Sequence, residues 1–134
     1  MTKLFLDTNI VIDLLDKREP FYHAATKLFT LAYHKKVILY ISPTTYATAS
    51  YLLRKHGKEE INVLLTNLRR LSRVSTTDEK TVDDALSSPF DDYEDALQYY
   101  SALHKKADVI ITRNIKDFSA ATIPVMTAEE FLGM

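Results

Sequence analysis

In KLFLDTNIVIDLL, residues 3–15, the apolar run Leu4-Phe5-Leu6 ends on an acid, Asp7, and an apolar pattern of a different period follows. Three consecutive apolar residues suit a short strand buried on both faces, whereas Val11, Leu14 and Leu15 recur at helical spacing, with Thr8 or Asn9 as the expected helix cap. Asp7 then falls at the carboxyl end of a strand, on the rim of a sheet. A carboxylate in that place can hold a metal ion.

Outward from this stretch, strand and helix patterns alternate. A helical stripe over about 21–34 sets Ala25, Leu28, Phe29 and Ala32 on one face, and the strand VILYI follows at 37–41. Ser42-Pro43 reads as a helix cap with proline at the first helical position, predicting a helix to about Lys55, before Gly57. Ile61, Leu64, Leu65 and Leu68 form the next stripe, a strand is expected near Arg73–Thr76, and Thr76-Thr77-Asp78-Glu79 has the pattern of a capping box. Asp91 and Asp92 precede a helix carrying Asp95, Ala96, Tyr100 and Leu103. DVIIT at 108–112 is the clearest strand, Pro124–Met126 suits an edge strand, and Thr127-Ala128-Glu129-Glu130 opens a last helical turn.

Strands separated by helices pair in parallel, so the expected fold is α/β, a mainly parallel sheet covered by helices on both faces. Ligands of such sheets bind beyond the carboxyl ends of the strands. Asp7 follows the first strand, Ser42 to Thr48 the second, and Thr112-Arg113-Asn114 the strand DVII. Asp95 opens the helix that returns to the same edge. Four segments are thus expected to bring oxygen ligands to one rim.

At 134 residues the chain suits a single domain, residues 1–134. No apolar run approaches a membrane span, and the N-terminal run is interrupted by Asp7 too early for a signal peptide, so a cytoplasmic protein is expected. There is no cysteine, and His23, His34, His56 and His104 lack paired ligand spacing, so an oxygen-rich site for magnesium or manganese is expected before zinc. The net charge of −1 excludes binding of nucleic acid through the overall field. Two local basic clusters remain, Arg54-Lys55-His56 with Lys58 and Arg69-Arg70 with Arg73. As cations near helix ends they also complement the helix dipole.

The order FLDTN, then ISPTTYATA after a strand, then YEDALQYYSAL on a helix, then IITRNIKDF after a strand, resembles a PIN domain of the type found in VapC toxin ribonucleases. The resemblance spans nearly the whole chain. It implies a three-layer α/β/α sandwich, acidic residues holding magnesium or manganese, and hydrolysis of RNA phosphodiester bonds. Position by position, Asp7 matches the first family acid and Asp95 the third, Asn114 stands at the fourth with Asp117 three residues beyond, and Thr112 matches a site-lining threonine. Thr8 and Asn9 match the polar residues after the first acid. The expected second acid falls at Thr48, which is neutral. The resemblance also implies a homodimer and, if the chain is a toxin, an antitoxin partner.

On this reading Asp7 and Asp95, helped by Asp117, hold one largely hydrated ion, and Asn114 and Thr112 orient its waters. Thr8, Asn9, Thr48, Arg54, Lys55 and Arg113 line the path of the RNA, and Tyr46 and Tyr93 flank the site. Asp91, Asp92 and Glu94 are further acids beside it. The neutral Thr48 supports an alternative, a catalytically weakened PIN domain that binds RNA or protein. Asp7-Thr8-Asn9-Ile10-Val11 also resembles the motif of haloacid-dehalogenase-like phosphatases, but Asn9 replaces their second acid.

Overall fold

The computed structural model describes residues 1–134, and its centre is a sheet of five parallel strands. In chain order these are β1 (Thr2–Leu6), β2 (Val37–Ile41), β3 (Arg73–Val74), β4 (Val109–Ile111) and β5 (Val125–Met126), arranged β3-β2-β1-β4-β5. Seven α-helices join and flank them: α1 (Thr8–Leu15), α2 (Tyr22–Tyr33), α3 (Pro43–Leu52), α4 (Lys58–Leu71), α5 (Glu79–Leu86), α6 (Tyr93–His104) and α7 (Ala128–Leu132). The expected α/β class holds, and the sheet is parallel throughout.

The unbroken apolar run of β1 has its reason in the layering. Leu4 and Leu6 enter one core with Leu39, Ile41 and Ile111, packed against α1, α2 and α4 through Val11, Leu28 and Leu68. Phe5, between them, points to the opposite face, where Tyr40 and Ile110 meet Tyr99 and Ala102 of α6. A strand with helices on both sides needs apolar side chains at every position. A third cluster, Ile12, Ala49, Leu53 and Ile61, ties α1, α3 and α4 together beside the sheet.

Caps explain where the helices start. Asp7, not Thr8 or Asn9, is the N-cap of α1, its side chain accepting from the Thr8 N–H at 2.8 Å. Ser42 caps α3 as expected, with Pro43 at the first helical position. Asp78 caps α5 by accepting from the Thr81 N–H, so the expected box beginning at Thr76 is displaced. Asp92 rather than Asp91 caps α6, and Thr127 with Glu130 forms a full capping box on α7. The helix predicted to reach Lys55 ends at Leu52 and continues as one tighter turn, Arg54–His56.

From β1 the chain moves outward through β2 to β3, then crosses back to place β4 and β5 on the other side. The order therefore reverses between β1 and β4, and their carboxyl ends open the crevice where such sheets take ligands. Asp7 and Thr112 are the first residues past those ends. No helix is long and apolar enough to cross a membrane.

Candidate active site

Asp7 is the hub of the rim. It is 7 % exposed, and both its oxygens are engaged. Oδ1 accepts from the Thr8 N–H at 2.8 Å and from Gln98 Nε2 at 3.3 Å; Oδ2 accepts from Thr112 Oγ1 at 2.8 Å and from Asn9 Nδ2 at 3.2 Å. Burial raises its pKa above the usual carboxylate range, opposed by the bonds from Thr112, Thr8 and Gln98, with the Asp117 carboxylate adding a further upward push. Capping α1 also puts the carboxylate at the positive end of that helix.

Two shells of neutral polar groups fix this carboxylate. On the β4 side, Thr112 Oγ1 donates to Asp7 and accepts from the Asn114 N–H at 3.0 Å, while Asn9 Oδ1 accepts from the Arg113 N–H at 3.3 Å. On the α3 side, the hydroxyls of Thr8 and Thr45 share a hydrogen bond of 2.8 Å, and Gln98 Nε2 donates to Thr8 Oγ1 at 3.0 Å. Gln98 is 1 % exposed, and its Oε1 has no hydrogen-bond partner. An unpartnered buried acceptor beside a carboxylate calls for a donor from outside the protein, such as a water molecule.

Asp95 stands one turn before Gln98 on α6, in a crevice with Asp92, Lys116 and Asp117. Its pKa is pushed up to about 7, first by burial and then by the like charges of Asp92, Asp7, Asp117 and Glu94. Mutual repulsion among carboxylates from α1's cap, α6 and the segment after β4 marks a locally negative site. No three of these side chains, as they stand, converge into a ready-made metal cage. The donor set nevertheless fits a hard divalent cation with most of its water retained: carboxylates, hydroxyls and amides, with an open acceptor on Gln98. A cation would also relieve the crowding that raises the Asp95 pKa.

The other expected residues divide by position. Thr8 and Asn9 turn their side chains into the Asp7 network. Thr48 is half-buried on α3 and lies one turn beyond Thr45, which makes the contact with Thr8. Asn114 is exposed just after β4, and Asp117 lies near Asp95 in the turn Ile115–Phe118. Arg113 has a different role from the one expected. Its Nε donates to Asp13 Oδ2 at 2.8 Å and its Nη2 to Oδ1 at 3.2 Å, and the guanidinium lies 4.1 Å from the centre of the Phe21 ring. That fork is committed to a buried carboxylate, so the expectation that it meets phosphate is corrected.

Arg54 and Lys55 also fall away from the rim. α3 begins there and runs the length of the sheet, which carries both residues to the opposite end. Arg54 lies over the Tyr51 ring at 4.1 Å, and Lys55 pairs with Asp16 at 3.2 Å, at the far end of α1. Gln98 and Thr45 escaped the sequence reading. The signal for Gln98 was its one-turn spacing from Asp95, but glutamine carries no diagnostic chemistry of its own.

Comparison with known proteins agrees with this arrangement. Ribonuclease VapC1 of Aquifex aeolicus is 27% identical over 134 residues, covering 96% of this chain and 92% of the relative. A toxin-antitoxin complex from Klebsiella pneumoniae includes a chain of the same fold, with a TM-score of 0.71 at 21% identity over 93% of this chain and 97% of that one. VapC20 of Mycobacterium tuberculosis, described as a toxin that cleaves the sarcin-ricin loop, gives 0.63 at 16% identity, covering 80% and 86% of the two chains. The PIN domain model matches residues 3–116, from the start of β1 through β4 and into the turn that follows it. With that match taking in every segment that builds the rim, the chain belongs to the PIN domain family.

Proposed function

We propose that this protein is a divalent-metal-dependent endoribonuclease acting at the Asp7–Asp95 rim. One observation carries the reading: a buried, hydrogen-bonded Asp7 at the sheet's switch point, electrostatically coupled to an Asp95 whose pKa is raised to about 7 by surrounding acids. The similarity to a VapC ribonuclease supports the same reaction, cleavage of an RNA phosphodiester bond.

Asp7 and Asp95 would hold magnesium or manganese, with Asp117 and Gln98 Oε1 fixing coordinated water. When bound, such a cation offsets charge on the phosphoryl oxygens and acidifies water near neutral pH. Thr112, Asn9 and Thr8 keep the Asp7 carboxylate in place. Its longest bonds, from Asn9 and Gln98, are those a cation displaces at least cost. Asp95, able to exchange a proton near neutrality, is suited to taking one from the attacking water. Asn114 and Lys116, both exposed beside the crevice, are placed to meet the substrate backbone. Thr48 lines the approach without supplying charge.

Substituting Asp7→Asn or Asp95→Asn should abolish magnesium- or manganese-dependent cleavage of single-stranded RNA while leaving the fold intact. Cleavage retained in the double variant overturns the reading. The family's toxin-antitoxin members support a physiological role as the toxin of such a pair, active as a homodimer and held by an antitoxin. The absence of three converging acids, together with the neutral Thr48, favours a second reading, a PIN domain that binds RNA or protein without cutting. Calorimetric titration with manganese separates the two, since only the nuclease requires the ion.

A further inference from the structure

On the side of β2 away from β1, the sheet is only half covered. β3 is two residues long and pairs with Tyr40 and Ile41, whereas β1 pairs along β2 from Val37 to Tyr40. Val37 to Leu39 therefore have a neighbouring strand on one side only. Ile41 turns its carbonyl toward β3, accepting from the Ser75 N–H at 2.9 Å, and alternate residues of a strand turn their backbone groups the same way. Val37 and Leu39 thus direct backbone groups to the open edge.

A crevice of about 400 Å³ lies along that edge, walled by Val37–Leu39 and by the chain from Arg69 to Arg73. An adjoining hollow of about 540 Å³ adds Tyr33, which is 68 % exposed. Lys35, Arg69, Arg70 and Arg73 ring these spaces, and none has a carboxylate within 4.0 Å. Arg69 donates once, to the Ser72 carbonyl at 3.0 Å. By contrast Arg18, Lys55 and Arg113 are paired with acids. In a chain of net charge −1, this concentration of unpaired cations sits beside unpaired strand edge.

We infer that this edge docks an extended acidic peptide segment of a partner protein, which adds as a strand beside Val37–Leu39 in the space that the short β3 leaves vacant. Backbone groups of the edge supply hydrogen bonds, and the cations select a segment rich in Asp or Glu. The same cations oppose pairing with a second copy of this edge, so one charge pattern both blocks self-association and admits the acidic partner. An RNA strand would satisfy the cations but has no ladder of amide groups to pair with β2. The crevice lies along the side of the sheet, apart from the rim, and the inference does not rest on the nuclease reading.

The test uses the full chain and a fluorescent synthetic peptide of alternating glutamate and valine, read by anisotropy. Expected are salt-sensitive binding, a loss of about tenfold on Arg70→Glu or Arg73→Glu, and loss of binding when alternate peptide nitrogens are methylated. Circular dichroism checks the fold of each variant, and Lys35→Glu, in the exposed turn before β2, carries the same test should either arginine variant fail to fold. The inference is overturned if the peptide does not bind, if methylation has no effect, or if the charge reversals weaken only a uridine oligonucleotide.

Discussion

Replacing Arg113 with methionine probes how the loop between β4 and the acidic crevice is held. Asp13 is 1 % exposed on α1 and receives both arms of the Arg113 fork, while Phe21 covers the guanidinium. Methionine keeps much of the side-chain volume and removes the charge, leaving a buried carboxylate without its partner. Losing one member of a buried pair costs about 3–5 kcal/mol, and the partial exposure of Arg113 puts this case in the lower half of that range. At an unfolding entropy of roughly 280 cal/mol/K for a chain of this size, that corresponds to a Tm about 10–15 °C lower.

The deficit also has a pH signature. Burial already raises the Asp13 pKa, and the hydrogen bonds and charge of Arg113 hold it down. Without Arg113 the folded-state pKa rises further above the unfolded value, so stability is greatest below the unfolded pKa and is lost as pH rises through the folded one. Relative to the parent, the variant should therefore recover at about pH 4–5 and be worst at neutral pH. Scanning calorimetry across that range measures both effects. The apolar double variant Asp13→Leu with Arg113→Met should regain most of the stability, because it buries no unpaired charge. A neutral-pH loss under about 1 kcal/mol, or a deficit independent of pH, refutes this account of the pair.

Three further outcomes follow from the rim. With Asp95 titrating at about 7, manganese should raise Tm more at pH 8 than at pH 6, and Asp92→Asn, by removing a like charge, should shift that midpoint to lower pH in thermal-shift titrations. Thr48→Glu supplies the acid missing from α3 and should tighten manganese binding by about tenfold in calorimetry, equivalent to about 1.4 kcal/mol; unchanged affinity would show that residue 48 does not reach the ion. Gln98→Leu removes a donor to Asp7, which should raise the Asp7 pKa further and cost about 1–2 kcal/mol in denaturant unfolding. A neutral effect would mean that Gln98 is incidental to the carboxylate.

Strands and helices were legible because their burial is nearly one-dimensional. β1 announces its two covered faces through Leu4-Phe5-Leu6, and β2 matches its predicted span, Val37–Ile41. The proximity of Asp7 and Asp95, 88 positions apart, was also within reach, since strand ends and helix starts must share an edge in a parallel sheet. Side-chain allegiance was less so. Nothing local tells that Arg113 turns to Asp13, a hundred residues earlier, instead of toward substrate. Asp7 as cap was hidden by its second role, because the search for a cap began one residue too late. The distance of Arg54 and Lys55 from the rim was readable in principle: a helix that starts at one edge of the sheet ends at the other.

The reversal of strand order has a consequence during synthesis. Asp7 is made early, but Thr112 and Asn114 belong to β4 and the turn after it, inserted on β1's far side once the first half has passed. A partly translated chain still on the ribosome holds the first carboxylate without the hydroxyl and amides that steady it. The completed crevice comes into being only after the C-terminal strands have emerged and docked, which defers any harm to nearby transcripts until translation of the chain is almost over.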